Sequence, residues 1–406
     1  MLEQNPLPPG IDPIPDDVLL EPKWILDFAD STTTQNGSSA HKGELHTKSE
    51  LPPPDLLPIL DSHPSTIISN KRITPESHWQ DVRHLTFSLP GSHPYTPGAT
   101  LTLYPKNFPS DVDEFITTQN WTSVADTPLH FVPSSPNTSP TSSLPIRNFQ
   151  HTNTITLRQL LTNHLDILSI PRRSFFAQLA HYTNDEFHRE RLLEFTDPQY
   201  IDERYDYTTR PRRSILEVLQ EFESVKIPWQ KICSLIPSMR GRQFSIASAC
   251  VEKDGNTEIE LLIAIVKYKT VIKRIRQGVC TRYIASLAPG SQISVTLQAG
   301  GLNVTQKETN RPVVMIGPGT GVAPMRSLVY QRIQWRKQLG LTAPSKDLLF
   351  FGCRNADADY FFKDEWSTLT SSGAPLEVFT AFSRDQVSSN NPYSASSLSL
   401  PTRFPC

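Results

Sequence analysis

The sequence predicts a multidomain protein of β and α/β type: an antiparallel barrel, an α-helical subdomain inserted into it, and a parallel α/β domain behind it. Three observations lead there. From Thr66 onward, STIISNKRIT, DVRHLTFSL and ATLTLYPKN alternate β-branched or aromatic residues with polar ones, broken at Pro90-Gly91 and Pro97-Gly98. That is the two-residue period of half-buried antiparallel strands. Between about Thr156 and Glu223, apolar residues recur at helical spacing, as in Leu157, Leu160, Leu161 and Leu165 and again in Ile215, Val218, Leu219 and Phe222. From Arg311 the pattern becomes strand, helix, strand, helix, strand, which packs as a right-handed parallel unit.

In order along the chain, residues 1–65 carry LPPGIDPIPDD, LPPPDLLP and a polar run from Ser31 to Glu50, and read as a Pro-rich, mostly irregular linker with one short ordered piece at Trp24 to Phe28. The barrel is expected over 66–310, with the helical subdomain inserted at about 150–228. Strand signals resume at Gln243 to Ala249, Ile259 to Tyr268 and Gln292 to Leu297. The α/β domain occupies 311–386: strands at Val313 to Ile316, Leu348 to Gly352 and Leu376 to Phe379, and helices at Val322 to Leu339 and Lys363 to Leu369. The tail 387–406 has no periodic face and is expected to be disordered.

Composition narrows the function. A formal net charge of -2 in 406 residues provides no basic field for nucleic acid. The longest apolar stretch, Leu261 to Val266, is far too short to span a bilayer, and the N-terminus is not built as a signal peptide, so a soluble cytoplasmic protein is expected. Five scattered cysteines show no CxxC pairing, and the eleven histidines show no HExxH spacing. Neither a disulfide framework nor a metal centre is indicated. No GxSxG or Walker string appears, which sets triad hydrolases and P-loop enzymes aside.

Four short stretches carry chemistry. RQFSIAS offers the guanidinium of Arg242 for a diphosphate, the flat ring of Phe244 for an aromatic cofactor and the hydroxyl of Ser245 beside it, as a flavin site would need. An ordinary buried strand is the competing reading. GVCT, comprising Gly278, Val279, Cys280 and Thr281, opens a helix expected at Thr281 to Ala288, where backbone N–H groups suit a pyrophosphate. IGPGTGVAP puts Gly317, Gly319, Thr320 and Gly321 between a strand and a helix, the setting of a dinucleotide loop, although its third glycine comes too early for GxGxxG. AFSRDQ ends the third strand with Ser383 and Arg384, a hydroxyl and a guanidinium suited to a 2'-phosphate, which favours NADP over NAD. Cys353, after the second strand, stands at the carboxyl edge where such folds bind ligands; lining the nicotinamide pocket and simple packing are both open to it.

Taken in this order, with FGCRNADADYFFKDEW, SIPRRSFFAQLA and NKRITPESHWQDVRHLTF, the motifs resemble the diflavin reductases of the cytochrome reductase type over about residues 5–386. The resemblance implies a ferredoxin-reductase-type antiparallel FAD barrel with the helical insert, then a truncated parallel α/β nucleotide-binding domain for NADPH. It implies that Arg242, Phe244 and Ser245 hold FAD, with Ser245 near the flavin nitrogen that accepts hydride, and that Gly278, Val279, Cys280 and Thr281 bind the FAD pyrophosphate. Gly317, Gly319, Thr320 and Gly321 would bind the NADPH pyrophosphate, Ser383 and Arg384 its 2'-phosphate, with Cys353 close by. The family passes electrons from FAD to an FMN domain and on to an acceptor protein, here by resemblance in cytosolic iron–sulfur protein assembly. No flavodoxin-like FMN domain and no later nucleotide-domain strands are recognised, so a fragment is expected. Two outcomes stay open: an FAD-dependent, NADPH-oxidising module, or a remnant that binds FAD or a partner without turnover.

Overall fold

The computed structural model describes residues 19, 21–29, 50–136, 143–146, 149, 153–341 and 346–385. The expected tail at 387–406 and most of the linker fall outside these residues. The strands are β1 Trp24–Phe28, β2 His63–Arg72, β3 Val82–Pro90, β4 Thr100–Leu103, β5 Leu129–Pro133, β6 Arg242–Ser245, β7 Val251–Lys253, β8 Asn256–Ala264, β9 Lys267–Lys269, β10 Ile275–Gln277, β11 Gln292–Gln298, β12 Val314–Ile316, β13 Asp347–Cys353 and β14 Leu376–Phe382. The chain divides into two compact units, each discontinuous in sequence.

The first unit takes in Met1–Pro53, Pro105–Arg240 and Tyr268–Val279. Its core is helical. Leu157, Leu160 and Leu161 of the helix Leu157–Asn163 are buried with Phe175, Phe176 and Leu179 of the helix Arg173–Leu179 and Ile215, Val218 and Leu219 of the helix Ile215–Glu221. Thr156 with Gln159, and Ser214 with Glu217, form capping boxes that satisfy the first N–H groups of two of these helices. The unit is wider than the 150–228 span that the leucine pattern marks out. The helix Pro109–Thr118, with Pro at its first turn and Val112, Phe115 and Ile116 on one face, joins the same core. So does an antiparallel ribbon of β1 and β5, which buries Trp24, Leu26, Leu129 and Phe131. The Pro-rich leader therefore carries a strand whose alternate residues are part of this core.

Glu217 does more than cap. It accepts from Arg274 at 2.5 Å and Arg276 at 2.8 Å, both in the segment that carries β10. Burial pushes its carboxyl up, but Arg276, the Ser214 N–H and Arg274 together hold it down at about 2. The folded value lies below the unfolded 4.5, so the stability Glu217 contributes is complete above pH 4.5 and is lost as pH falls towards 2. Urea unfolding of Glu217→Gln should show a lower midpoint than wild type at pH 6, and the gap should narrow at pH 3. A gap that persisted unchanged at pH 3 would contradict this assignment.

The second unit takes in Pro54–Tyr104, Gly241–Lys267 and Cys280–Cys406. It contains a seven-stranded antiparallel sheet in the order β6-β4-β11-β2-β3-β8-β7. The sheet curls back on itself: Ile246 bridges Leu261, and the Ala247 N–H donates to the Glu260 carbonyl at 2.7 Å, joining the end of β6 to β8. This closure accounts for two differences from the expected strands. The strand expected at Gln243 to Ala249 stops at Ser245, because at Ile246 the chain exchanges β4 for β8 as its partner. The strand expected at Ile259 to Tyr268 is two, β8 and the short β9, which pairs with β10 in a separate ribbon.

The same unit holds a parallel sheet in the order β12-β13-β14. The helix Val322–Leu339 covers one face, burying Met315, Leu349 and Phe351 with Val322, Leu328 and Val329, and ends at Gly340, whose φ of +61° forms its left-handed cap. Below it, Asp347 is buried between two guanidiniums: Arg332 Nε lies 2.9 Å and Arg336 Nη1 2.8 Å from Oδ2. Asp347 Oδ1 also accepts the Val313 N–H, so one carboxylate ties the helix to the start of the sheet. On the opposite face Val314 and Ile316 are 62% and 69% exposed, and among the described residues β12 pairs on one side only. No helix among the described residues is long and apolar enough to cross a membrane.

Candidate functional site

The flavin-type stretch lies on β6, where Arg242 is paired opposite Leu103, Phe244 opposite Leu101 and Ser245 opposite Thr100 of β4. The two-residue repeat puts Arg242 and Phe244 on one face, and Ser245 is the last residue of the strand. All three are half-buried, so each keeps surface that a ligand can cover. Immediately before them Gly241 is sterically required: a Cβ there would come within 2.5 Å of Thr102 Cγ2 and 2.7 Å of the Tyr104 ring.

The helix predicted from Thr281 starts two residues earlier and runs Val279–Ser286, because Cys280, Tyr283 and Ile284 form its buried face. Gly278 directly precedes it, and Val279 is its first residue. Thr281 is buried, and its hydroxyl oxygen accepts the Val266 N–H at 3.0 Å, which anchors the first turn to the end of β8. Burial pushes the Cys280 thiol up to about 12, against a downward pull from the Arg242 guanidinium. Arg242 on β6 and Cys280 in the first turn of this helix are thus within electrostatic reach of each other. A guanidinium and a helix N-terminus converge there, a donor set that fits a pyrophosphate, with the Phe244 ring on the same strand for a flat ring system.

The second candidate set gathers at the carboxyl ends of β12, β13 and β14. Gly317 N–H donates to the Phe350 carbonyl at 3.0 Å, and a Cβ on Gly317 would fall 2.9 Å from Val322 Cα. Only glycine lets the loop turn this sharply into the helix. Gly319, Thr320 and Gly321 form a single 3₁₀ turn that leads into the helix Val322–Leu339; Gly321 caps that helix without a side-chain bond, and the Val322 N–H donates back to the Gly319 and Thr320 carbonyls. The next strand is close, with Pro318 Cβ 3.8 Å from a Cβ built on Gly352. The Ser383 N–H donates to the Cys353 carbonyl at 3.0 Å, and the Arg384 N–H to the Arg354 carbonyl at 2.9 Å. Gly317, Cys353, Ser383 and Arg384 thus share one rim of the sheet. Glycines at a strand-to-helix turn, a hydroxyl and a guanidinium together fit a phosphorylated dinucleotide.

The surroundings of Cys353 disfavour its thiolate. Burial pushes its thiol up to about 12, and Asp359 and Asp385 add to the rise.

Several residues of this rim were not singled out from the sequence. Asp359 accepts the N–H groups of Arg354 and Asn355 at 3.1 and 2.7 Å, and Asp385 accepts from Asn355 Nδ2 and the Ala356 N–H at 2.7 and 2.6 Å. These two carboxylates hold the loop after β13 against the end of β14. Asp385, the acid beside Arg384, is thereby engaged with the loop. Trp79, from the loop between β2 and β3, lies under the Arg354 guanidinium at 4.1 Å with much of its ring exposed. The aspartate spacing in FGCRNADAD is the one local signal that could have pointed to the first of these; Trp79 gave none.

Residues 60–283, more than half of the chain, match the FAD binding domain, and residues 315–394 match the oxidoreductase NAD-binding domain. The chain is 49% identical over 404 residues to NADPH-dependent diflavin oxidoreductase 1 of Emericella nidulans and 46% identical over 406 residues to that of Aspergillus fumigatus. Each alignment covers 95% of this chain and 62% of the relative. The protein of the same name from Saccharomyces cerevisiae is 40% identical over 336 residues, covering 79% of this chain and 50% of the relative. The chain thus spans a little under two thirds of the first two relatives and half of the third. The two matched domains and these relatives agree: the chain belongs to the FAD binding domain family of oxidoreductases, with a NAD-binding domain following.

Proposed function

We propose that this chain is an FAD-dependent oxidoreductase module that takes reducing equivalents from NADPH and passes them to an FMN domain or acceptor protein. When bound, the nicotinamide supplies a hydride, the flavin accepts it, and the electrons leave for the acceptor. Arg242 neutralises the diphosphate of FAD, Phe244 packs against its rings, and the Ser245 hydroxyl stands at the strand end to hydrogen-bond near the flavin nitrogen. Gly278, Val279, Cys280 and Thr281 receive the FAD pyrophosphate on the N–H groups of the helix they open. Gly317, Gly319, Thr320 and Gly321 do the same for NADPH, Ser383 and Arg384 take its 2'-phosphate, and Cys353 lines the rim beside them as a neutral thiol.

The observation that carries this reading is the shared rim, where Ser383 and Arg384 run hydrogen-bonded alongside Cys353 and Arg354 beyond the glycine loop. Partners follow from the relatives. Their names call them NADPH-dependent diflavin oxidoreductases, which supports a second flavin as partner of this module; an FMN-bearing domain as acceptor, with iron–sulfur assembly in the cytosol as the pathway, is the reading we favour. The test is steady-state oxidation of NADPH by the FAD-loaded chain with ferricyanide as probe acceptor. NADPH should be oxidised in proportion to bound FAD, and NADH much more slowly. Equal rates with the two nucleotides would remove the role given to Ser383 and Arg384.

A further inference from the structure

Arg326 lies in the second turn of the helix Val322–Leu339, five residues beyond Gly321, and is 7% exposed. Its guanidinium reaches three other parts of the unit at once. Nη1 donates to the Ala247 carbonyl at 2.9 Å and to Glu260 Oε2 at 2.6 Å, while Nε and Nη2 grip Glu365 at 2.8 and 3.2 Å. Ala247 is two residues past Ser245 in RQFSIAS, Glu260 lies on β8, and Glu365 lies in the first turn of the helix Lys363–Ser371. The plane of the cation is flanked by Phe362 at 4.5 Å and Tyr330 at 5.0 Å, and Tyr330 OH donates to Glu365 at 3.0 Å. The cluster continues into the barrel: His84 Nε2 lies 3.0 Å from Glu260 Oε2, and its ring meets Phe362 edge-on. Ser248 Oγ accepts the Glu260 N–H at 3.0 Å and hydrogen-bonds Tyr95 OH at 2.8 Å.

We propose that Arg326 is a positioning residue, which sets the distance between the flavin strand β6 and the glycine loop Gly317–Gly321 and thereby the rate of transfer between cofactors held on the two. This rests on the function proposed above. The step it governs is hydride transfer, two electrons and one proton passing from NADPH to FAD, which would leave NADP+ and FADH−. Stability alone does not demand such an arrangement. The parallel sheet has its own internal ion cluster at Asp347, and apolar contacts of Val82, Ala247 and Leu262 with the nucleotide-side core already join barrel and sheet. Arg326 adds direction. Of its barrel acceptors, Ala247 lies just past the flavin strand and Glu260 lies on β8, where its carbonyl accepts the Ala247 N–H, and the helix of Arg326 begins at the loop. A planar fork holding both sides fixes separation as well as contact, which a point charge on a flexible stem does not. Transfer between bound rings is steep in distance, with about 1 Å of misplacement costing on the order of a hundredfold.

The test compares wild type with Arg326→Lys, Arg326→Gln and Glu260→Gln by two measurements. One is the single-turnover rate of flavin bleaching by saturating NADPH. The other is amide hydrogen exchange over 246–248 and 322–326 in the cofactor-free chain. The expected result is FAD and NADP+ affinities within about threefold of wild type, a bleaching rate lower by about thirtyfold in Arg326→Gln and less in Arg326→Lys, and faster exchange in both segments. Unchanged bleaching rates, or unchanged exchange, would overturn the proposal. If wild type itself is not bleached, the proposed function fails, and the exchange experiment still decides whether Arg326 holds the two segments. Should Arg326→Gln not fold, Arg326→Lys and Glu260→Gln carry the same comparison.

Discussion

Arg242→Ala should yield a folded chain that purifies with little or no FAD, its dissociation constant for the cofactor raised by about a hundredfold. Charge-assisted bonds to a diphosphate contribute about 1.5–3 kcal/mol, and a hundredfold corresponds to about 2.7 kcal/mol. The location of Arg242 makes the loss specific. It is half-buried on β6, and its charge reaches Cys280 in the first turn of the helix Val279–Ser286, so its removal takes the cation from the site where that helix also presents its N–H groups. Arg242→Lys, which keeps the charge but not the planar fork, should lose about tenfold. Fluorescence titration of the cofactor-free proteins with FAD measures both. Wild-type affinity in Arg242→Ala would move the diphosphate elsewhere.

The double variant Ser383→Ala, Arg384→Ala should lose the preference for NADPH over NADH by on the order of a hundredfold in kcat/KM, while the value for NADH stays within about twofold. A guanidinium and a hydroxyl that bind a 2'-phosphate have nothing to bind on NADH, so their removal acts on one nucleotide alone. The neighbouring acid does not take over, because Asp385 is held by Asn355 and the Ala356 N–H. FAD content should be that of wild type, since these residues directly follow β14, which belongs to a different sheet from β6. A parallel loss with both nucleotides would instead mean that the end of β14 serves as packing.

Much of this was legible in the residues, and the parts that were not share a cause. The helix Val322–Leu339 was expected with the bounds it has, because Gly321 and Gly340 punctuate it on either side. The parallel strands were found within one to three residues at each end, their apolar runs being short and bounded. What local pattern misses is pairing across sequence distance. Nothing in WILDF shows that it will join Leu129–Pro133, more than a hundred residues later, to build the helical unit's core. Likewise the strand RQFS ends at Ser245 because Leu261 becomes the next partner, not because its residues stop favouring a strand. The site follows the same rule. Arg242, the glycines and Ser383 announce themselves by residue type in a motif. Arg326 and Trp79 matter through Glu260, Glu365 and Arg354, tens to hundreds of residues away, and read as ordinary helix and loop residues until those partners are known.

In the proposed module the strand Arg242–Ser245 and the loop Gly317–Gly321 together hold an electron donor and its acceptor. Anaerobic addition of one equivalent of NADPH to the FAD-loaded chain tests it most directly. The visible absorption of the bound flavin should fall, with one NADP+ formed per FAD reduced. A chain that keeps its FAD and binds NADPH, yet retains its full absorption, would contradict it.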